Sequence, residues 1–279
     1  MTPSTARSSQ RLAPHTALKL ALRPSRAAQL ALTEALSALA PQVQPGATLV
    51  DLGPLAGQET ARVASALVRP RTIQLAGAPG TDLEPAARRL AAAFPETDVL
   101  QVQTGRSGWP AALPPHARRQ RIVHVGGAWP WWMGPVTRRA FFSRLRRELR
   151  GPDLALVSFL PVRDGARIEQ AWEAAGPALA ELLLPASPVD SHGRVAVRSF
   201  WDPAGSQLVV RARGTLQAAA TGAHPLAQIR HLRPDGSDAG LPEPLVISGV
   251  FLAPDGSEGV LLVSVDPNSH VRSVDGLHT

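Results

Sequence analysis

The stretch Leu49 to Thr60, LVDLGPLAGQET, sets an apolar run, a carboxylate and a glycine ahead of a second glycine that opens a helix-like segment. A strand-to-helix turn of this kind lets backbone amides approach a ligand and turns the start of a helix toward a carboxylate or phosphate. Asp51, Gly53, Gly57 and Thr60 are therefore candidate binding residues, although two glycines at such a turn also serve plain loop geometry. A second concentration of chemistry is Trp129-Pro130-Trp131-Trp132-Met133, which holds half of the six tryptophans. Indole faces in a row suit an aromatic wall for a cationic or planar ligand, and equally suit packing between the core and a second unit. His124, inside an apolar run, reads either as a satisfied buried residue or as a general base.

Several other chemistries are excluded. The chain has no cysteine, which removes disulfides, thiolate catalysis and cysteine-ligated metal. It contains neither G-x-x-x-x-G-K-[ST] nor G-x-G-x-x-G, since Leu55 takes the place of the middle glycine, and no G-x-S-x-G elbow. The eight histidines include no H-x-x-x-H pair, so no metal site is expected.

Strand and helix signals alternate around these residues. A helix from Ala27 to Ala40 leads in; strands follow at Thr48 to Leu52, Thr72 to Ala76, Val99 to Val102, RIVHVGG and Asp153 to Phe159. Helices are predicted at Gln58 to Leu67, Glu84 to Ala93, TRRAFFSRLRRELR and Arg167 to Leu184. This alternation implies βαβ units and a parallel sheet, in which ligands bind outside the carboxyl ends of the strands. The chain then changes character: Arg194 to Trp201 pairs with Gln207 to Arg213 around DPAGS, and Pro244 to Leu252 with Gly259 to Val265 around APDGSE. An antiparallel hairpin ending the sheet is the habit of class I methyltransferases rather than of nicotinamide-binding domains.

Charge is unevenly spread. Arg7, Arg11, Lys19, Arg23 and Arg26 all precede the first acid, Glu34, and carry five of the seven excess charges, which leaves the body nearly balanced. That distribution argues against a nucleic-acid platform and for a basic, disordered tail over 1–26. Arg138, Arg139, Arg144, Arg146, Arg147 and Arg150 crowd one helix, as a solvated face or a protein-partner surface over 136–150. No apolar run approaches the roughly 20 residues of a membrane span, and a cytoplasmic location is expected.

In one register DLGPLAGQET resembles the first motif of the histidine-specific, S-adenosylmethionine-dependent methyltransferases of ergothioneine biosynthesis, acid-Leu-Gly-small-Gly-small-Gly-x-Lys-Thr. Asp51, Leu52, Gly53, Gly57 and Thr60 agree. DLEPAARRLAAAFPETDV, VHVGGAWPWWMGPVTRRAFFSRLRRELRGPDLALVSF, VRDGARIEQAWEAAG and VFLAPDGSEGVLLV are similar to later pieces in family order, from about Ala47 to Val265 with a poorly matched gap between Thr215 and Pro242. The resemblance implies S-adenosylmethionine as cofactor, held by Asp51, Gly53, Gly57, Thr60, Gly77 and Gly127. It implies a small amine or amino acid as substrate, beside Trp129, Trp131 and Trp132.

The departures fall at functional positions. Pro54 and Leu55 replace small residues and Glu59 replaces the family's lysine, while Gly77 stands where an acid would hold the adenosine ribose. Trp132 stands at a substrate-orienting asparagine, the Gln207-Leu208 region replaces an acid, and a chain without tyrosine lacks the family's substrate tyrosines. A catalytically inactive binding or scaffolding descendant is the alternative. The expected fold is an α/β class I, Rossmann-like doubly wound sheet ending in an antiparallel hairpin. Its core would span 27–167 plus 243–279, with a smaller α+β substrate-side subdomain over 168–242.

Overall fold

A computed structural model describes residues 26–53, 57–67, 70–77, 81–104, 119–170, 172–173, 196–213 and 227–265. The expectations for the basic tail, for Pro54 and Leu55, and for most of the helix predicted from Arg167 onward fall outside these residues. Helix α1 (Arg26–Leu39) leads to β1 (Thr48–Leu52), α2 (Gln58–Ala66), β2 (Thr72–Gly77), α3 (Glu84–Ala93) and β3 (Asp98–Gln103). Then come β4 (Arg121–Val125), a 3-10 turn at Trp129–Trp132, α4 (Pro135–Glu148) and β5 (Leu154–Phe159). Strands β6 (Ala196–Asp202), β7 (Gln207–Arg213), β8 (Ala227–Arg230), β9 (Leu245–Leu252) and β10 (Gly259–Val265) complete the described elements.

The main sheet has seven strands in the order β3-β2-β1-β4-β5-β10-β9. Strands β1 to β5 are parallel, and β10 runs antiparallel between β5 and β9. The hairpin ending expected from sequence is thus present, with its last strand inserted beside the fifth, and the architecture is class I and Rossmann-like. Every residue of β4 is buried, as a central parallel strand covered on both faces requires. At the edge, β3 is only half-covered. The order reverses between β1 and β4, and that reversal opens a crevice at the carboxyl edge.

Each face of the sheet has its own apolar layer. On one, Ala31, Leu32, Ala35, Leu36 and Leu39 recur at helical spacing on α1 and pack with α2, α3 and the inward residues Val260 and Leu262 of β10. On the other, Phe141, Phe142 and Leu145 of α4 pack with Trp129, Trp131 and Val157. A separate antiparallel sheet, β6-β7-β8, sits against Trp132, Ile168 and Trp172. It joins the core through a bridge between Pro161 and Leu232, with the Leu232 amide donating to Leu160 O at 2.9 Å.

The amino edge of the sheet is sealed by polar groups. Gln120 donates to the carbonyls of Gln42 and Pro152 and accepts from the Gln44 amide at 2.7 Å, tying three connections together. Arg121 and Asp153, 2% and 1% exposed, form an ion pair at 3.3 Å. The Asp153 carboxylate also accepts from the amides of Arg121 and Arg150, at 2.8 and 3.0 Å. Removing one partner of a buried pair strands the other charge. Asp153→Ala is expected to lower stability by about 3 to 5 kcal/mol in urea unfolding, whereas Glu84→Ala, which breaks the exposed Glu84–Arg88 pair, should cost under about 1 kcal/mol.

Candidate functional site

A carboxylate inside a sheet needs hydrogen-bond donors, and Asp51 draws them from two neighbouring elements. Its Oδ2 accepts from the Thr60 hydroxyl on α2, and its Oδ1 lies 3.2 Å from His124 Nδ1 on β4. With the carboxylate as acceptor, Nδ1 carries the ring hydrogen. All three residues are 1% exposed. His124 is accordingly a buried, hydrogen-bonded residue rather than an exposed base. Glu59 and the His124 ring both border Gly126: a Cβ built there would lie 2.8 Å from Glu59 Oε2 and 3.0 Å from His124 Cε1. A side chain at position 126 would displace the Glu59 carboxylate and crowd the His124 ring.

The predicted loop glycines take left-handed backbone, with φ of 81° at Gly53, 72° at Gly57 and 67° at Gly127. Gly57 carries a second constraint, because an added Cβ would come within 3.2 Å of the Ala86 backbone on α3. It serves helix packing as well as the turn. Gly77, at the carboxyl end of β2, accepts the Thr104 amide at 2.7 Å. A Cβ there would lie 2.9 Å from Leu83 Cδ2, so the space that a ribose-binding acid would need is taken by leucine.

The tryptophan window divides. Trp129 donates from Nε1 to Leu52 O at 3.1 Å and sets its ring edge-on to Phe141 at 4.9 Å. Trp131 donates to Ser158 O at 2.8 Å beside Phe142, and is fully buried. Both side chains are core anchors that pin the loop after β4 to the ends of β1 and β5, and neither offers a face as substrate wall. Trp132 is half-buried against Trp172 at 6.2 Å, between the core and the small sheet. All three, expected beside a substrate, follow β4 at the carboxyl edge of the sheet. The structure turns two of them inward.

A cavity of about 180 Å³ opens at the carboxyl ends of β4 and β5. Glu59, Gly127, Ser158, Arg163, Trp172 and His231 are among its lining residues. Arg163 is committed to the β9–β10 turn, donating to Gly256 O at 2.7 Å and facing Asp255 at 3.4 Å. Sequence reasoning missed His231, because it lies in the poorly matched stretch after Thr215 and reaches the cavity only through the Pro161–Leu232 bridge. Arg163 and Trp172 carry no local signal of their own. Among the described residues, no group of three His, Asp or Glu side chains is placed to hold a metal ion. No helix among them is long and apolar enough to cross a membrane.

No family model and no curated protein matches the chain. Solved structures show a general likeness. The CcbJ methyltransferase from Streptomyces caelestis is 14% identical with a TM-score of 0.45, over 91% of this chain and 97% of that one. The glycopeptide N-methyltransferase MtfA complexed with S-adenosyl-L-methionine gives 13% and 0.45, over 85% and 94%. The mitomycin 7-O-methyltransferase MmcR gives 16% and 0.47, over 86% and 55%. Likeness at these values carries no statement about ligand or reaction.

The His231 imidazole is pushed down to about 4, chiefly because burial disfavours its cation; the Pro161 carbonyl opposes this and the Arg163 charge adds to it. The unfolded ring takes its proton below about pH 6.5 and the folded ring only below about pH 4, so between them the unfolded state binds more protons. Stability therefore falls on acidification through that window, by roughly 3 kcal/mol in all. Urea midpoints at about pH 4.5 and 7 should show this loss in the parent chain, and His231→Leu should flatten it. At Asp51, Thr60→Val should cost about 1 to 3 kcal/mol in the same assay, by orphaning a buried acceptor.

Proposed function

We propose that the protein is a divergent S-adenosylmethionine-dependent methyltransferase acting on a small amine or amino acid in the crevice at the carboxyl edge of β1, β4 and β5. The observation that carries this reading is the sheet order, with β10 inserted antiparallel beside β5, above which a cavity opens. When bound, the cofactor supplies a methyl group on an electrophilic sulfonium. The turn after β1 fits such a group, since Gly53 and Gly57 hold left-handed backbone and Glu59 in the first turn of α2 lines the cavity. Gly127 adds a third close approach after β4. Asp51 and Thr60 act beneath, locking α2 to β1.

The end of β2 does not fit. Gly77 offers no carboxylate to a ribose, and Leu83 stands where one would extend. This favours a second reading, a catalytically inactive binding or scaffolding descendant of the same fold. A histidine substrate held in the manner of the ergothioneine family does not suit either reading, because Trp132 occupies the asparagine position and packs on Trp172. The arginine face of α4, with Arg139, Arg146 and Arg147 exposed and Arg150 exposed just past its end, is the surface we assign to any protein partner.

Calorimetric titration with S-adenosylhomocysteine separates the readings. The enzyme predicts a Kd in the tens of micromolar, weaker than a chain with a ribose acid by about the worth of one charged hydrogen bond. Silence at about 1 mM establishes the second reading. Gly77→Asp combined with Leu83→Ala is expected to tighten binding by roughly tenfold.

A further inference from the structure

Buried polar atoms in folded proteins nearly always find a partner. His231 Nε2 has none among the described residues, although the residue is only 4% exposed and lines the cavity. The chemistry of that orphan atom is fixed by its neighbour. Nδ1 lies 3.2 Å from Pro161 O, which can only accept, so the ring hydrogen sits on Nδ1 and Nε2 offers a lone pair. The His231 backbone and ring are each held by a neighbour. Its backbone amide donates to Ser206 O at 2.9 Å, and its plane stands edge-on to Trp201 at 5.2 Å.

The rest of the cavity says what kind of molecule would present a donor there. Leu160, Ile168 and Trp172 give it apolar walls. Arg167 lines the same space and is exposed, available to an anionic group entering from solvent. Glu59 and Glu258 also line it, but the charge that acts on the His231 ring is that of Arg163. A cationic donor would be repelled at the ring, whereas a neutral one would not.

We infer that His231 is the recognition residue of this cavity: its Nε2 accepts a hydrogen bond from a neutral hydroxyl or amine N–H of a small carboxylate-bearing molecule. The hydrocarbon part of that molecule lies against Ile168 and Trp172, and its carboxylate meets Arg167. This deepens the reading of the crevice as a methyl-acceptor site. It rests on that reading for the ligand's fate but not for its binding.

The test uses the whole chain without any S-adenosyl compound and three probes: 4-hydroxybenzoate, 4-aminobenzoate and benzoate. The two substituted acids are expected to bind with millimolar or tighter Kd, about tenfold tighter than benzoate, since only they can satisfy Nε2. Saturation with 4-hydroxybenzoate should move the ¹⁵N resonance of His231 Nε2, and benzoate should leave it in place. Arg167→Gln, on the surface, should weaken all three probes severalfold and keep their ratio. His231→Phe should equalise them; because it leaves Pro161 O unpaired and could unfold the chain, the probe ratio and the resonance in the parent protein stand as independent readouts. Equal affinities, no binding of any probe, or an unmoved Nε2 resonance overturns the assignment. Selective probe binding beside silence toward S-adenosylhomocysteine keeps the recognition residue and removes methyl transfer, and the opposite pattern does the reverse.

Discussion

A carboxylate held in the middle of a sheet is tolerated only where donors surround it, and Asp51 organises the carboxyl edge through that requirement. Thr60 must approach from α2 and His124 from β4, so the helix after the first turn and the strand across the order reversal are held in register by one side chain. The glycine turn between Asp51 and Thr60 is thereby closed at both ends. Glu59, next to Thr60 on the same helix, is carried toward Gly126 by the same constraint.

The loop after β4 is fixed by a second device. Trp129 and Trp131 are two residues apart on a tight 3-10 turn, and each spends its single N–H on a strand-end carbonyl, one on β1 and one on β5. A large ring with one donor suits this task, because its apolar body fills the layer under α4 while its polar tip satisfies backbone left open at the edge. The crevice is thus held firm beside Gly127 and Ala128, and its chemistry falls to Glu59, Arg163, Arg167, His231 and the β9–β10 turn.

The strands and helices of the core were legible because apolar runs of four to six residues alternate with helical periodicity and glycine or proline punctuation; Thr48–Leu52, Glu84–Ala93 and Gly259–Val265 agree with expectation to the residue. The turn after β1 was legible for a similar reason, since Asp51, Gly53, Gly57 and Thr60 sit within one short motif. The direction of each indole was not, because a 3-10 turn and an extended loop point Trp129 and Trp131 to opposite sides and nothing local decides between them. His231 was hidden more deeply. Its place depends on the pairing of Pro161 with Leu232, a contact between residues 71 apart in the chain, and neither neighbourhood announces it.

The packing of α1 against β9 and β10 joins the earliest described element to the latest, with Leu32 and Leu36 sharing one layer with Val260 and Leu262. During synthesis that helix emerges from the ribosome long before the strands that cover it. Until translation reaches the final hairpin, the nascent polypeptide carries a greasy stripe without its lid, and β5 keeps an open flank where β10 will dock. The interval between those two moments is when a growing chain of this topology depends most on its surroundings.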